Sequence, residues 1–301
     1  MVTLRGTDPD RAKVSLSITC EVMAGRPGHR LASTGVTTAQ ARPVGELLRE
    51  WRERRRLSQL DLAIQADIST RHLSFVETGR SRPTSQMILR LSEHLDVPLR
   101  DRNNLLLAGG YAPAYREVGL DAPELTTIRA ALRQVLAAHE PNPAVVVDRH
   151  WNLVDANATI ALFLAGASED LLVPPVNVLR LSLHPKGMAP RIVNLGQWRA
   201  HLLARLRRQA GATGDPVLHA LLEELRAFPC DQAEPDVELP GPGDVAIPLR
   251  YKHNDDILSF VGITAIFGTP LDITLAELAI ESFYPADPMT ARRLGQLRND
   301  A

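Results

Sequence analysis

Cysteine is almost missing from this chain. The two that occur, Cys20 and Cys230, stand far apart with no metal-type spacing, which argues against a disulfide framework or a zinc site and favours free thiols. No run approaches the roughly 18 uncharged apolar residues of a membrane-spanning helix. The first thirty residues mix Arg5, Asp8, Asp10, Arg11, Lys13 and Glu21 in place of a signal-peptide apolar block. A cytoplasmic protein without membrane contact is expected. Catalytic sets are also missing. His219 and Glu223 have helical i, i+4 spacing but no motif supplying further metal ligands, so they read as a surface pair. Asp255-Asp256 sits in an expected turn, where carboxylates cap backbone, and Gly241-Pro242-Gly243 has no phosphate-loop context. No nucleophile, base and orienting group can be assembled, and no enzyme, metal or cofactor is expected.

What is present is length for two domains, 301 residues with 45% hydrophobic content. The formal net charge of -1 hides an asymmetry. Residues 42–110 hold twelve arginines, no lysine and nine acids, and residues 1–41 hold five bases and three acids. The remainder, 111–301, holds 17 bases and 23 acids. An N-terminal part that approaches phosphates and a C-terminal part that avoids them fit this division.

Residues 1–41 carry no sustained period and are broken by Pro9, Gly25, Pro27, Gly28 and Gly35, so a disordered tail is expected. From Val44 a helical period begins through Leu47, Leu48, Trp51 and the stem of Arg55. Ser58 is an N-cap candidate ahead of Leu60, Ala63 and Ile64, with Asp61 in the first turn, where the helix dipole favours a negative group. Ser69 caps a third segment that ends at Gly79. Thr84 opens a fourth helix burying Ile88, Leu91 and Leu95, and Pro98 starts a fifth. Five short helices are thus expected over 44–108, forming a domain at 42–110.

Beyond Tyr111 the elements mix. Ala144–Asp148 and Asn152–Asp155 read as a hairpin around Arg149-His150, followed by a helix from about Asn157. Trp198–Gln209 and Pro216–Phe228 read as helices separated by Gly211 and Gly214, and Phe228–Gly243 as a loop. Val245–Tyr251, Ile257–Phe267 and Ile273–Phe283 read as strands. The second domain, 111–301, is therefore expected to be α+β.

The tight second and third helices carry the function, because a helix-turn-helix lays one helix across the DNA backbone and the next in the major groove. The run Leu57-Ser58-Gln59-Leu60-Asp61-Leu62-Ala63 through Glu77-Thr78-Gly79-Arg80, with Pro83, resembles the phage repressor/Cro-like (XRE) helix-turn-helix family, whose lambda-repressor-like domain has five helices. Asp67 stands where that family commonly has glycine in the turn. The resemblance implies base reading by Thr70, Arg71, Ser74 and Phe75, with Arg71 able to address guanine O6 and N7 together. Gln59, Ser69, Arg80 and Arg82 are expected at phosphates. Arg52 and Glu77 match a family pair that forms an internal salt bridge, and Leu73 and Val76 read as core.

The run from Leu99 through Gly109-Gly110-Tyr111-Ala112-Pro113 resembles the junction in regulators with an MmyB-like ligand-binding domain. Pro143–Asn157 with Trp151, Arg180–His184 with Pro185, and Phe267-Gly268-Thr269-Pro270 continue the likeness, the first of them similar to a PAS-like start. This resemblance implies an apolar pocket for a small, fatty-acid-like molecule. Leu162, Phe163, His184, Leu202, Leu206, Phe260 and Ile266 are its candidate lining. The aliphatic and aromatic residues of that group are equally expected of a packed core. The expectation is a regulator that binds a double-stranded DNA operator as a homodimer and answers to an apolar or amphipathic ligand. The alternative is a constitutive DNA-binding protein whose second domain serves only dimerisation or protein contact.

Overall fold

Helix α1 (Val44–Arg54) starts directly after Pro43, which has no N–H to leave unsatisfied at a helix entry. The computed structural model describes residues 42–233 and 246–300. The 1–41 tail with Cys20, Gly241-Pro242-Gly243 and Val245 lie outside the described residues. Helix α1 buries Leu48 and Trp51. It comes close to the C-terminal end of the third helix because Gly45 has no side chain: a Cβ there would lie 2.2 Å from the Val76 carbonyl oxygen.

Helix α2 (Gln59–Gln65) begins with a reciprocal cap. The Ser58 hydroxyl accepts from the Asp61 N–H at 3.1 Å, and the Asp61 carboxylate accepts from the Ser58 N–H at 2.9 Å. Its apolar phase differs from the sequence expectation. Leu62, Ala63 and the following Ala66 are buried, whereas Leu60 and Ile64 are 57% and 69% exposed. In a seven-residue helix the partner helices choose the buried stripe, and they meet the side that carries the small Ala63 and Ala66. The turn passes through Asp67 at φ 48°, a left-handed conformation that a short polar side chain tolerates better than most. Helix α3 (Thr70–Glu77) is capped by the Ser69 hydroxyl, which accepts from the His72 N–H, and ends before Gly79 at φ 73°. Helices α4 (Ser85–His94) and α5 (Leu99–Ala108) follow Thr84 and Pro98. One core unites all five, with Leu48, Leu62, Leu73, Ile88, Leu95 and Leu105 essentially inaccessible.

The second domain is built on a sheet. Helix α6 (Thr126–Ala138) precedes the hairpin of β1 (Ala144–Val147) and β2 (Leu153–Ala156). After α7 (Ala161–Leu164), α8 (Val178–Leu183), α9 (Leu195–Thr213) and α10 (Pro216–Arg226) come β3 (Leu249–His253) and β4 (Asp256–Ile266). A single helical turn, α11 (Ile273–Ala276), leads into β5 (Ala279–Pro285), and α12 (Pro288–Asp300) follows. The order is β2-β1-β5-β4-β3, every neighbouring pair antiparallel. Strand alternation splits β1 between two cores. Val145 and Val147 join the large cluster under α9 and α10, while Ala144 and Val146 meet Leu132 and Leu136 of α6.

The strand expected over Ile273–Phe283 is corrected: Asp272 accepts from the N–H groups of Thr274 and Leu275 and starts α11, so the strand begins only at Ala279. Helices α6, α8 and α12 escaped the sequence reading. Among the described residues no helix is long and apolar enough to cross a membrane.

The two domains pack into one compact unit. Arg100 of α5 joins both Glu117 and Glu277, and Arg54 at the end of α1 and Arg55 that caps it donate to the carbonyls of Thr213 and Ala212 at the end of α9.

Candidate nucleic-acid interface and ligand pocket

On α3 the burial pattern separates roles. Leu73 and Val76 face the core, while Arg71 is exposed and Thr70, Ser74 and Phe75 are half-buried beside it. The Arg71 guanidinium lies 5.3 Å from the Phe75 ring centroid and that of Arg80 lies 5.9 Å away. Phe75 is therefore a platform under both cations, a contact that orients them without consuming their donors. The exposed Ser69 stands at the N-terminus of α3, and Arg80 stands in the loop beyond its end.

Beneath this face lies a buried ion pair. Arg52 donates through Nε and Nη2 to the two Glu77 carboxylate oxygens at 2.7 and 2.9 Å, and its Nη1 reaches the Leu57 carbonyl at 2.8 Å. The side chains are only 9% and 1% exposed. The fork ties α1 to the end of α3 and so sets how the exposed helix stands on its domain.

Two residues expected at phosphates have other partners. Gln59 donates through Nε2 to Glu77 at 2.8 Å, completing the carboxylate's hydrogen bonds. Arg82 donates to the Gly109 carbonyl at 2.8 Å and lies over the Tyr111 ring, where it holds the C-terminal end of α5. A buried carboxylate and a helix-end carbonyl therefore share these donors with any phosphate that the two residues would engage.

In the second domain a cavity of about 460 Å³ opens between the sheet, α8 and α9. Its walls are largely apolar, with Trp151, Phe163, Leu181, Met188, Trp198 and Leu202 among them. Of the expected lining, Phe163 and Leu202 reach this cavity; Leu162, Leu206 and Phe260 are packed core instead. Ile266 is 75% exposed and faces a separate cleft between the domains. His184 stands edge-on to Phe228 and accepts from the Lys186 N–H, a local structural arrangement away from the cavity.

The polar lining is what the sequence reading missed. His201, Arg205 and Arg208 follow one face of α9 at steps of four and three. Arg205 makes a bidentate pair with Glu281 at 2.6 and 3.1 Å, donates to the Thr264 hydroxyl at 2.8 Å, and lies 4.4 Å from the Trp151 ring centroid. Arg208 is exposed and has no ion-pair partner among the described residues. His201 stacks on Trp198; burial, with Arg205 and Arg208 nearby, holds its pKa below the usual histidine value. The pocket thus ends in one compensated arginine, one uncompensated arginine and a histidine biased to neutrality. The signal was present as basic residues interrupting the apolar stripe Trp198, Leu202, Leu206, but only the fold shows that the stripe borders a cavity.

Among the described residues no group of three or more histidine, cysteine or carboxylate side chains could hold a metal. Glu223 pairs with Arg226, and Asp256, the first residue of β4, with Arg293.

Residues 43–105 match the profile of a helix-turn-helix domain, so the first domain belongs to a DNA-binding transcription regulator. A comparison with curated proteins returned no match. The pocket, the sheet and the helices around them fall within residues 128–297, more than half of the chain, which match the MmyB-like transcription regulator ligand binding domain, and the chain belongs to that family.

Proposed function

We propose that this regulator binds an operator as an XRE-type homodimer and is controlled by an amphipathic monoanion, a fatty-acid-like molecule, held in the pocket of a PAS-like domain. The carrying observation is the combination of an apolar cavity with a cation, Arg208, that has no ion-pair partner among the described residues, next to the paired Arg205 and the neutral-leaning His201. A long neutral ligand would satisfy the walls and leave Arg208 unused. A dianion would bring more charge than the site compensates. Recognition, not turnover, is the chemistry proposed, and the cytoplasm is the compartment where an operator is met.

Thr70, Arg71, Ser74 and Phe75 read bases, and Ser69 and Arg80 engage phosphates. A two-fold pair of such domains addresses an inverted repeat with half-sites about 10 bp apart. Selection of duplexes from a random pool by the purified chain would enrich such repeats. Enrichment of single half-sites bound by monomer would overturn the dimer.

The pocket is tested by tryptophan fluorescence, since Trp151 and Trp198 line it. Dodecanoate should bind, and Arg208→Gln should weaken it roughly tenfold, the effect of one hydrogen bond to a charged group. Dodecanol binding as tightly as dodecanoate would remove the anion from the reading. Absence of binding by either, with unchanged DNA affinity, would favour the constitutive protein whose second domain serves dimerisation or protein contact.

A further inference from the structure

Two continuous routes of contact run from the pocket to the DNA-binding domain, and both involve α9. The first is the helix itself. His201, Arg205 and Arg208 line the pocket, and just over one turn beyond Arg208 the carbonyls of Ala212 and Thr213 receive Arg55, which caps α1, and Arg54, its last residue, at 3.1 and 3.2 Å. The span from residue 201 to 213 is about 18 Å of rigid helix. Its end is shaped for this contact. Gly214 has φ 67°, and a Cβ there would lie 2.4 Å from the Arg54 guanidinium carbon.

The second route passes through the hairpin turn. Arg205 lies over the Trp151 ring, and the indole N–H of Trp151 donates to Gln209 Oε1 at 2.8 Å. Gln209 Nε2 donates to the Arg149 carbonyl at 2.9 Å. The Arg149 guanidinium stands 3.6 Å from Glu277, which receives Arg100 of α5 at 2.7 and 2.9 Å. Trp151 has φ 69°, in the left-handed region that a bulky side chain avoids, so its neighbours hold it against a local preference.

We infer that α9 and the Arg149–Trp151 turn form a relay through which occupancy of the pocket sets how the DNA-binding domain is docked, with Gln209 as its positioning residue. The inference rests on the pocket reading given above. An anion in the pocket competes with Glu281 for Arg205. Any movement of Arg205 displaces the Trp151 ring that lies against it, and with that ring the Gln209, Arg149 and Glu277 contacts to α5. Docking of α1 and α5 fixes the direction in which α3 points from each protomer, which is what a two-half-site operator measures. Coupling follows because the ligand favours one of two docking geometries; equal affinity for both would shift nothing.

Hydrogen exchange of the full chain, without ligand or DNA, isolates the relay. Gln209→Met removes the Trp151 and Arg149 hydrogen bonds without replacing a residue of the cavity wall or of the exposed face of α3. Peptides covering 44–54 and 99–108 should exchange about two- to tenfold faster, the opening expected when a hydrogen bond is lost. Peptides of β1 and β5 should keep wild-type protection, and Arg207→Gln, an exposed residue of the same helix, should change none of them. If Gln209→Met also loosens β1 and β5, Arg149→Gln is read in its place, since it takes the guanidinium away from Glu277 and Asp215 while the Arg100–Glu277 pair stays intact. A second arm uses dodecanoate and a duplex selected by the wild-type chain. Saturation should shift wild-type duplex affinity at least about fivefold, the lower range for coupled sites. Gln209→Met should bind dodecanoate as the wild type does, with the duplex shift largely lost. Unchanged exchange at 44–54 and 99–108 in both variants, or full coupling in Gln209→Met, would overturn the relay. Failure of dodecanoate to bind the wild type would sink the pocket reading instead, and the ligand-free exchange result alone would then decide the relay.

Discussion

Arg100 and Glu277, 177 residues apart in the chain, form a two-pronged ion pair at 2.7 and 2.9 Å that fastens the last helix of the DNA-binding domain to the sheet domain. The guanidinium also holds Glu117, and Glu277 with Glu117 makes it keep its proton more firmly than usual. Glu277→Gln keeps the shape and removes the charge. Calorimetry should then resolve two partly separated melting transitions where the wild type shows one, with about 1–3 kcal/mol lost from domain docking. A single unshifted transition would show that the pair contributes nothing to docking.

Replacing Arg52 by methionine should cost about 3–5 kcal/mol in the helical domain, because it leaves the buried Glu77 carboxylate without its cation. Glu77→Gln should cost less, since a neutral amide needs no counter-charge and Arg52 keeps its bond to the Leu57 carbonyl. Urea unfolding of residues 42–301 reads the order. Equal losses would show that packing, not charge, governs the site.

The arginines flanking Phe75 should part company in DNA binding. Arg71→Ala should relax preference at one base position by about 1–3 kcal/mol, whereas Arg80→Ala should weaken all duplexes alike and flatten the salt slope by about one unit. Phe75→Ala should show both effects in reduced form, because both guanidinium groups rest on its ring. Competition binding at several salt concentrations checks this. Equal weakening of selected and scrambled DNA by Arg71→Ala would refute its base-reading role.

Stability should fall as the solution is acidified through the ordinary histidine value of 6.5. Burial holds the folded-state pKa of His201 and of His253 below that value, so the unfolded chain takes up protons first and gains on the folded one. The contribution is intact above that value, declines as pH drops below it, and levels off once the folded histidines also protonate. His201→Gln should flatten part of this slope. A thermal midpoint in His201→Gln with the wild-type pH profile would remove His201 from the account.

Local chemistry was legible in the chain. The caps Ser58, Ser69 and Thr84, the start at Pro98 and the stop at Gly79 act within a few residues of themselves, so the five helices and the turn between α2 and α3 follow from sequence. The hairpin around Arg149-His150 was legible for the same reason, and basic charge concentrated in residues 42–110 pointed to the partner. Other features depended on which elements meet. Leu60 and Ile64 are exposed because α3 and α4 press on the other side of α2, a choice that a seven-residue helix cannot announce. Gln59 and Arg82 donate to Glu77 and to the Gly109 carbonyl, eighteen and twenty-seven residues away. In the second domain Leu206 and Phe260 look like pocket residues as much as Leu202 does, since hydrophobicity records removal from water and not whether the space beyond is filled. Only the tertiary structure separated them. It left a cavity against Leu202, Arg205 and Arg208 of α9, and it brought Glu281 and Trp151, seventy-six and fifty-four residues from Arg205, to that same wall.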